Sequence, residues 1–192
     1  MNKIPNSIRK IADFFEGFPE IGPRQALRLA FYVARSARDL IIQISKEVQK
    51  IKQCPDCFYF FDDEENLCKI CRDQRRDKRK VCMVINETTL ISIEKAKFFN
   101  GVYFILGDFI LDQKSLAIER INKFKEIIKK NNVKEVILSF PITFEGKITS
   151  QEVKSELSKF GIKFYEPKIG LPRGGEIEFA DPETLREAFK FD

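Results

Sequence analysis

Apolar residues recur at helical spacing through the first fifty positions of the chain. This spacing predicts three helices, over residues 5–17, from Arg24 onward, and over 38–52. Gly22 permits a tight turn before the second helix, and Pro23 suits its first position. The residues predicted to be buried are Ile8, Ile11, Phe14 and Phe15 in the first helix, Ala26, Leu29, Ala30 and Val33 in the second, and Leu40, Ile41, Ile44, Val48 and Ile51 in the third. The chain therefore begins with a predicted helical module.

The pattern changes after residue 80, where short apolar runs alternate with helical periodicity. Strands are predicted over 81–86, 102–107, 134–140 and 162–167, with helices over 87–99, 115–130 and 149–161 between them. Such alternation predicts a parallel sheet that is covered by helices on both faces. Beyond the sheet, two glycines precede a capped helix that begins at Asp181–Pro182. The predicted fold class is multidomain α/β.

The amino-acid composition indicates the class of protein and the compartment in which it is expected. The 192 residues are 43% hydrophobic and 33% charged, which is typical of a soluble globular protein. No stretch approaches the roughly 18 apolar residues that a membrane-spanning helix needs. The first residues contain no apolar segment of the kind found in signal peptides. We therefore expect a cytoplasmic protein, without a membrane partner, whose thiols stay reduced.

The net charge of +5 comes from the first part of the chain. Residues 1–80 carry 17 Lys and Arg against 12 Asp and Glu, whereas residues 81–192 carry 17 of each. A basic excess of this size weakly favours a polyanionic partner. The run Arg72–Lys80 holds six cations and two anions. It either offsets a nearby anionic cluster or contacts phosphate, and the sequence leaves both roles open.

Four cysteines form two C-x-x-C pairs that are ten residues apart. Cys54, Cys57, Cys68 and Cys71 have the spacing of a tetrahedral Zn²⁺ site. The alternative is a pair of disulfides, which a reducing compartment disfavours. Four thiolates leave no coordination position for water, so we expect one structural zinc ion and no catalytic one. Cys82 lies outside this spacing and is predicted to be a core thiol.

The turn at Gly22 is the candidate for nucleic-acid contact. A helix that begins after a glycine turn presents backbone N–H groups to a phosphate. Arg24 and Arg28 are four residues apart and would flank that point with positive charge. Such contacts position a DNA backbone and read no sequence. The alternative is an ordinary helical hairpin whose arginines are solvated.

Two glutamates follow predicted strands, at the sheet edge where open α/β proteins bind ligands. Glu87 follows the first strand and Glu145 follows the third. Either is a candidate metal ligand or general base, although a carboxylate at Glu87 would also be favoured simply by the helix dipole. Metal-dependent phosphoryl transfer usually needs more carboxylates. The segment around Glu145 supplies no other one, which disfavours catalysis.

The order of these parts resembles the bacterial RecR family of recombination mediators. The segment "FPEIGPRQALRLAF" is similar to the helix-hairpin-helix of that family, and the four cysteines are similar to its zinc finger. The segment that runs from "VCMVINETTLISIE" through "PITFEG" is similar to its Toprim domain, and "GLPRGGEIEFAD" is similar to its C-terminal motif. The domains implied are 1–53 for the helix-hairpin-helix, 54–71 for the C4 zinc finger, 80–170 for Toprim, and 171–192 for the C-terminal motif and helix.

The resemblance implies a function in DNA repair, near the nucleoid. RecR-like proteins are non-catalytic DNA clamps that form homo-oligomers (a ring, dimer or tetramer). With RecO-type and RecF-type partners they help to load a recombinase on gapped DNA, single- or double-stranded. By resemblance, Gly22, Arg24 and Arg28 would contact DNA, and Glu87 and Glu145 would bind a partner.

Two departures from the family pattern bear on these expectations. Glu20 stands where the hairpin usually has glycine, which would weaken DNA binding. The Asp-x-Asp pair of Toprim enzymes is missing, and Lys147 replaces a common acidic residue. The alternatives are a Toprim-type nuclease or primase-like enzyme, and a zinc-stabilised interaction module without a DNA role.

Overall fold

The computed structural model describes residues 4–111, 116–168, 170–171 and 174–189. The chain divides into two compact units, Met1–Lys52 and Gln53–Asp192. In the described ranges, no helix is both long enough and apolar enough to cross a membrane.

The N-terminal unit consists of three helices, α1 (Asn6–Glu16), α2 (Pro23–Ser36) and α3 (Arg38–Val48). Pro23 occupies the first turn of α2, as predicted. The contact between α1 and α2 is built on small side chains, because Ala12, Ala26 and Ala30 are buried where the two helices meet. Partly buried neighbours complete this cluster: Ile8, Ile11, Phe15, Ile21 and Leu27.

The prediction for α3 is wrong in one respect: the helix forms, but none of its residues is buried. The five residues expected in the core are exposed by the following fractions: Leu40 50%, Ile41 40%, Ile44 48%, Val48 59% and Ile51 49%. Phe14 of α1 was also expected in the core and is 75% exposed. Helical periodicity shows which face of a helix is apolar, but it does not show what covers that face. In the single chain, these side chains remain in solvent.

The C-terminal unit is built on one four-stranded parallel sheet with the order β4-β3-β5-β6. Its strands are β3 (Asp77–Val84), β4 (Gly101–Ile105), β5 (Glu135–Ser139) and β6 (Lys163–Tyr165), and its helices are α5 (Glu87–Lys95), α6 (Leu116–Asn131) and α7 (Phe144–Leu157). Strands β3 and β5 pair from Lys80 with Glu135 to Val84 with Ser139.

Side chains alternate between the two faces of this sheet. Val81 and Met83 of β3 belong to the larger core, with residues of α6 and α7. Cys82 and Val84 belong to the opposite core, with Leu90 of α5. These contacts confirm the predicted α/β sheet with helices on both faces, and Cys82 is a buried core thiol as expected.

The limits of some elements differ from the predictions. Strand β3 begins at Asp77, because its polar first residues pair through the backbone and not through buried side chains. Helix α7 begins at Phe144 and not at 149. Its first turn has no apolar periodicity, and the helix is started by the Thr143 hydroxyl, which accepts a hydrogen bond from Gly146 N–H at 3.2 Å. The predicted start of α6 at 115 lies outside the described residues.

Three short elements frame the cysteines, and one more helix lies after the sheet. Strands β1 (Lys52–Gln53) and β2 (Phe60–Phe61) pair with each other, and α4 spans Lys69–Arg72. Helix α8 (Pro182–Ala188) begins after Asp181, whose carboxylate accepts a hydrogen bond from Thr184 N–H at 2.9 Å. This confirms the capped helix. Residues 172–173 and 190–192 of the predicted C-terminal motif and helix lie outside the described residues.

Candidate metal centre and DNA interface

The four cysteines of the two C-x-x-C pairs converge on one point. The sulfurs of Cys54, Cys57, Cys68 and Cys71 lie within 4.8 Å of one another, and all four side chains are buried. Cys57 Sγ is 3.6 Å from Cys68 Sγ. Zn–S bonds of about 2.3 Å in a tetrahedron would place sulfurs about 3.8 Å apart. The cluster therefore fits a tetrahedral metal ion, and no disulfide links its members.

Local backbone geometry brings the first pair of thiols together. Phe58 N–H donates to Cys54 O at 2.8 Å, and Cys54 N–H donates to Tyr59 O at 2.9 Å. These bonds close a tight turn in which Phe58 has a φ of +63°. The second pair lies at the start of α4, where Arg72 N–H donates to Cys68 O at 3.1 Å. The pKa of Cys54 is lowered, chiefly by its hydrogen bond with Cys57 and further by Cys68 and Cys71.

The first cysteine turn is attached directly to the parallel sheet. Ile105 N–H, at the end of β4, donates to Cys57 O at 3.0 Å. The Phe58 ring packs edge-on against Phe104, with their centroids 5.4 Å apart. Asp56 forms an ion pair with Lys130 of α6 at 2.9 Å. The metal centre and the sheet thus share one packed structure.

A buried arginine that the sequence analysis missed completes this attachment. The Arg120 guanidinium lies 4.4 Å from the Phe58 ring centroid, and its Nη1 donates to Ile105 O at 3.0 Å. Only 8% of Arg120 is exposed, and burial lowers its pKa. The available signal was its position on the apolar stripe of α6, between Ala117 and Phe124.

The basic run Arg72–Lys80 is engaged mainly within the chain. Five of its six cations form ion pairs: Arg72 with Asp63, Arg75 with Asp73, Arg76 with Glu94, Arg79 with Asp77, and Lys80 with Glu135. Glu94 also accepts a hydrogen bond from Tyr103 Oη at 2.9 Å. The geometry thus pairs most of this run with local carboxylates. The two roles left open by the sequence, offsetting the anionic cluster and contacting phosphate, stay predictions.

The hairpin between α1 and α2 places its charged residues in solvent. Arg24 and Arg28 are both exposed on α2. Gly22 O accepts from Gln25 N–H and Ala26 N–H, each at 3.0 Å, and no side chain caps this helix end. An uncapped helix N-terminus beside two arginines has the electrostatics of an anion site.

The residue that needs a special backbone conformation in this turn is Glu20. Its φ is +66°, in the left-handed region that favours glycine. Gly22 has a φ of −82° with extended backbone, which any residue can adopt. The left-handed conformation in this turn therefore lies at Glu20 and not at Gly22.

Glu87 and Glu145 lie at the same edge of the sheet. Each lies in the first turn of a helix that follows one of two adjacent strands, β3 and β5. Asn86 caps the first helix by accepting from Thr89 N–H at 3.0 Å. The pKa of Glu145 is lowered, chiefly by a hydrogen bond from its own backbone N–H and also by Thr143.

Asp108 adds a third carboxylate after β4, and the sequence analysis did not identify it. We call Glu87, Asp108 and Glu145 the acidic edge. In the described part of the chain, the cysteine cluster is the only group of three or more His, Cys, Asp or Glu whose ligand atoms lie within 4.8 Å of one another. The acidic edge is therefore not gathered into a ready-made metal site.

Comparison with known proteins agrees with this architecture. The model of the Toprim domain family matches residues 79–166. The chain is 31% identical over 187 residues to "Recombination protein RecR" of Ehrlichia chaffeensis, and the match covers 94% of this chain and 95% of that protein. The similarity thus extends over the helical hairpin and the cysteine cluster as well as the sheet.

Proposed function

The chain belongs to the RecR family of recombination proteins, and we propose that it acts in DNA repair and recombination as a non-catalytic DNA clamp. In this proposal, several copies encircle or line DNA and work with RecO-type and RecF-type partners to load a recombinase on gapped DNA. The observation that carries the proposal is the uncapped N-terminus of α2 with Arg24 and Arg28 exposed beside it.

One hairpin would contact DNA only weakly. Two arginines neutralise about two phosphates, which gives a salt slope of about −1.8 per hairpin. Useful affinity then needs several hairpins on one DNA molecule. The exposed apolar face of α3 supports such self-association, because a second copy could bury Leu40, Ile41, Ile44 and Val48.

The cysteine cluster would hold a structural Zn²⁺. Cys54, Cys57, Cys68 and Cys71 supply four ligands, and metal of this kind contributes folding energy. The attachment of Cys57 and Phe58 to β4 would then fix the end of the sheet.

The acidic edge would bind a protein partner. Glu87 and Glu145 lie on adjacent strand ends, and their charge would orient a basic RecO-like surface. The double variant Glu87→Ala with Glu145→Ala should weaken that binding severalfold without changing DNA affinity. Unchanged partner affinity, measured by calorimetry, would remove this part of the proposal.

The non-catalytic assignment is tested by incubating the protein with DNA and Mg²⁺ or Mn²⁺. We expect no cleavage or synthesis, because three separate carboxylates cannot provide the charge stabilisation of a two-metal site. Cleavage that disappears in Glu87→Gln would favour the Toprim-type enzyme instead.

The clamp proposal is tested by a salt titration of DNA binding. Arg24→Ala with Arg28→Ala should abolish binding to gapped DNA at moderate salt without changing the oligomer. The matched control, Arg9→Ala with Lys10→Ala, removes the same charge from α1 and should bind much more like the parent. If the Arg24 and Arg28 variant binds as the parent does, the hairpin is structural and the proposed contact surface is wrong.

A further inference from the structure

The edge of the sheet opposite to the acidic edge carries a row of lysines. This is the amino edge, where each crossover helix returns the chain to the start of a parallel strand. All three returning connections contain exposed lysines: Lys95 and Lys97 before β4, Lys129 and Lys134 before β5, and Lys159 and Lys163 before or at the start of β6. We call these six residues the lysine rim.

The carboxylates near the lysine rim are already engaged by other cations. These pairs are Glu94 with Arg76, Asp77 with Arg79, Glu135 with Lys80, Glu126 with Lys123, and Glu156 with Lys125. Within the described ranges, no rim lysine has a carboxylate oxygen within 4 Å of its amino group, whereas the neighbouring Lys130 is paired with Asp56. The described rim lysines are therefore not held in direct ion pairs, although Lys129 interacts electrostatically with Glu126 and Lys163 is the strand partner of Glu135.

Helix dipoles explain only part of this arrangement. A lysine in the last turn of a helix is favoured by the dipole, which accounts for Lys95 and Lys129. Lys134 and Lys163 lie beyond the helix ends, where that effect has faded. Lys134 directly precedes β5, and Lys163 N–H donates to Lys134 O at 2.9 Å, while the strand partner of Lys163 is Glu135. Chain segments about 4.8 Å apart thus place exposed lysines next to one another at the amino edge of the sheet.

From this row we infer that the lysine rim is a second contact surface for the DNA backbone, in addition to the hairpin. The inference rests on the proposed DNA-binding function. Phosphates follow one another at short intervals along DNA, and flexible lysines on one edge can meet several of them without reading sequence. The acidic edge repels DNA, so contact through the rim would leave Glu87, Asp108 and Glu145 open to a protein partner.

The test is a triple variant measured with labelled gapped DNA across a range of salt. Lys134→Gln, Lys159→Gln and Lys163→Gln together remove three rim charges. The matched control, Lys10→Gln, Lys69→Gln and Lys168→Gln, removes the same charge from exposed residues outside the rim. If all three rim lysines meet phosphates, the salt slope falls in magnitude by about 2.7, and affinity falls by roughly tenfold or more at low salt. The control should keep a slope close to that of the parent.

Three outcomes decide between the explanations. A rim variant with the slope and affinity of the parent overturns the inference, while the hairpin and the clamp stand. A rim variant that binds DNA normally but loses binding to polyglutamate also overturns it, because the rim would then serve an acidic protein. A parent protein that does not bind DNA even at low salt overturns the proposed function itself.

Discussion

The two units of this chain differ in how fully they bury their own apolar residues. The buried residues described in the N-terminal unit are four alanines, Ala12, Ala26, Ala30 and Ala37. The C-terminal unit buries large side chains such as Tyr103, Phe104 and Phe124. Full burial of a large apolar side chain contributes about 1.5–3 kcal/mol, and a methyl group only about 0.8 kcal/mol. The C-terminal unit therefore has a core of large side chains, although it also exposes Phe98, Phe144 and Phe179. The N-terminal unit has no such core and leaves an apolar helix face for another surface to cover.

The largest expected effect concerns the cysteine cluster of the C-terminal unit. Cys57→Ser removes one ligand and should lower its unfolding free energy by roughly 3 kcal/mol or more, because zinc-binding energy is coupled to folding. Loss of the ordered turn would also loosen Phe58 against Phe104 and Arg120. Hydrogen exchange should rise around β4, and elemental analysis should show less than one zinc per chain.

Cys82→Ala is the matched control for this change. Cys82 is buried but lies outside the cluster, so the variant should retain zinc and lose only modest stability. A Cys57→Ser protein with full zinc content and unchanged exchange at β4 would contradict the account of the metal centre.

The next effect concerns the uncovered face of α3. Ile44→Asp with Val48→Asp should dissociate the oligomer and lower DNA affinity by about 100-fold, because multivalent binding is lost. Gln43→Asp with Gln49→Asp adds the same charge away from the apolar stripe and should keep the oligomer. Sedimentation of both variants checks this, and equal masses would show that α3 is not the interface.

These two regions also show what the sequence can predict. The cysteine quartet and the strand–helix alternation are local patterns, and both were predicted correctly. The exposure of α3 could not be predicted, because amphipathic spacing does not identify the covering surface. The burial of Arg120 and the ion pairs of Arg76 and Lys80 depend on residues that are distant in sequence.

A smaller effect is expected from a helix cap in the C-terminal unit. Asn86 accepts hydrogen bonds from Thr89 N–H at 3.0 Å and from Thr88 Oγ1 at 2.8 Å. Asn86→Ala should lower the unfolding free energy by about 1 kcal/mol. Asn86→Ser, which can also cap, should restore most of that loss in chemical denaturation. Equal destabilisation by both substitutions would show that the cap is not the cause.

The smallest expected effect concerns the N-terminal unit. Glu20→Gly relieves a left-handed residue in the N-terminal unit and should stabilise it by about 0.5–1 kcal/mol after the greater freedom of unfolded glycine is subtracted. It also removes an anion near Arg24, so DNA binding should strengthen. Glu20→Ala removes the charge but keeps the strain, which separates the two effects. Slower hydrogen exchange in α1 and α2 of Glu20→Gly alone would confirm the backbone effect, and equal exchange in both variants would contradict it.

The central claim is that several copies of this chain bind one DNA molecule together. Light scattering of the zinc-loaded protein, with and without gapped DNA, measures this directly. The account predicts a protein mass that is a multiple of 22.4 kDa and several chains on each DNA. A single chain of 22.4 kDa that binds DNA one to one, with full affinity, would contradict it.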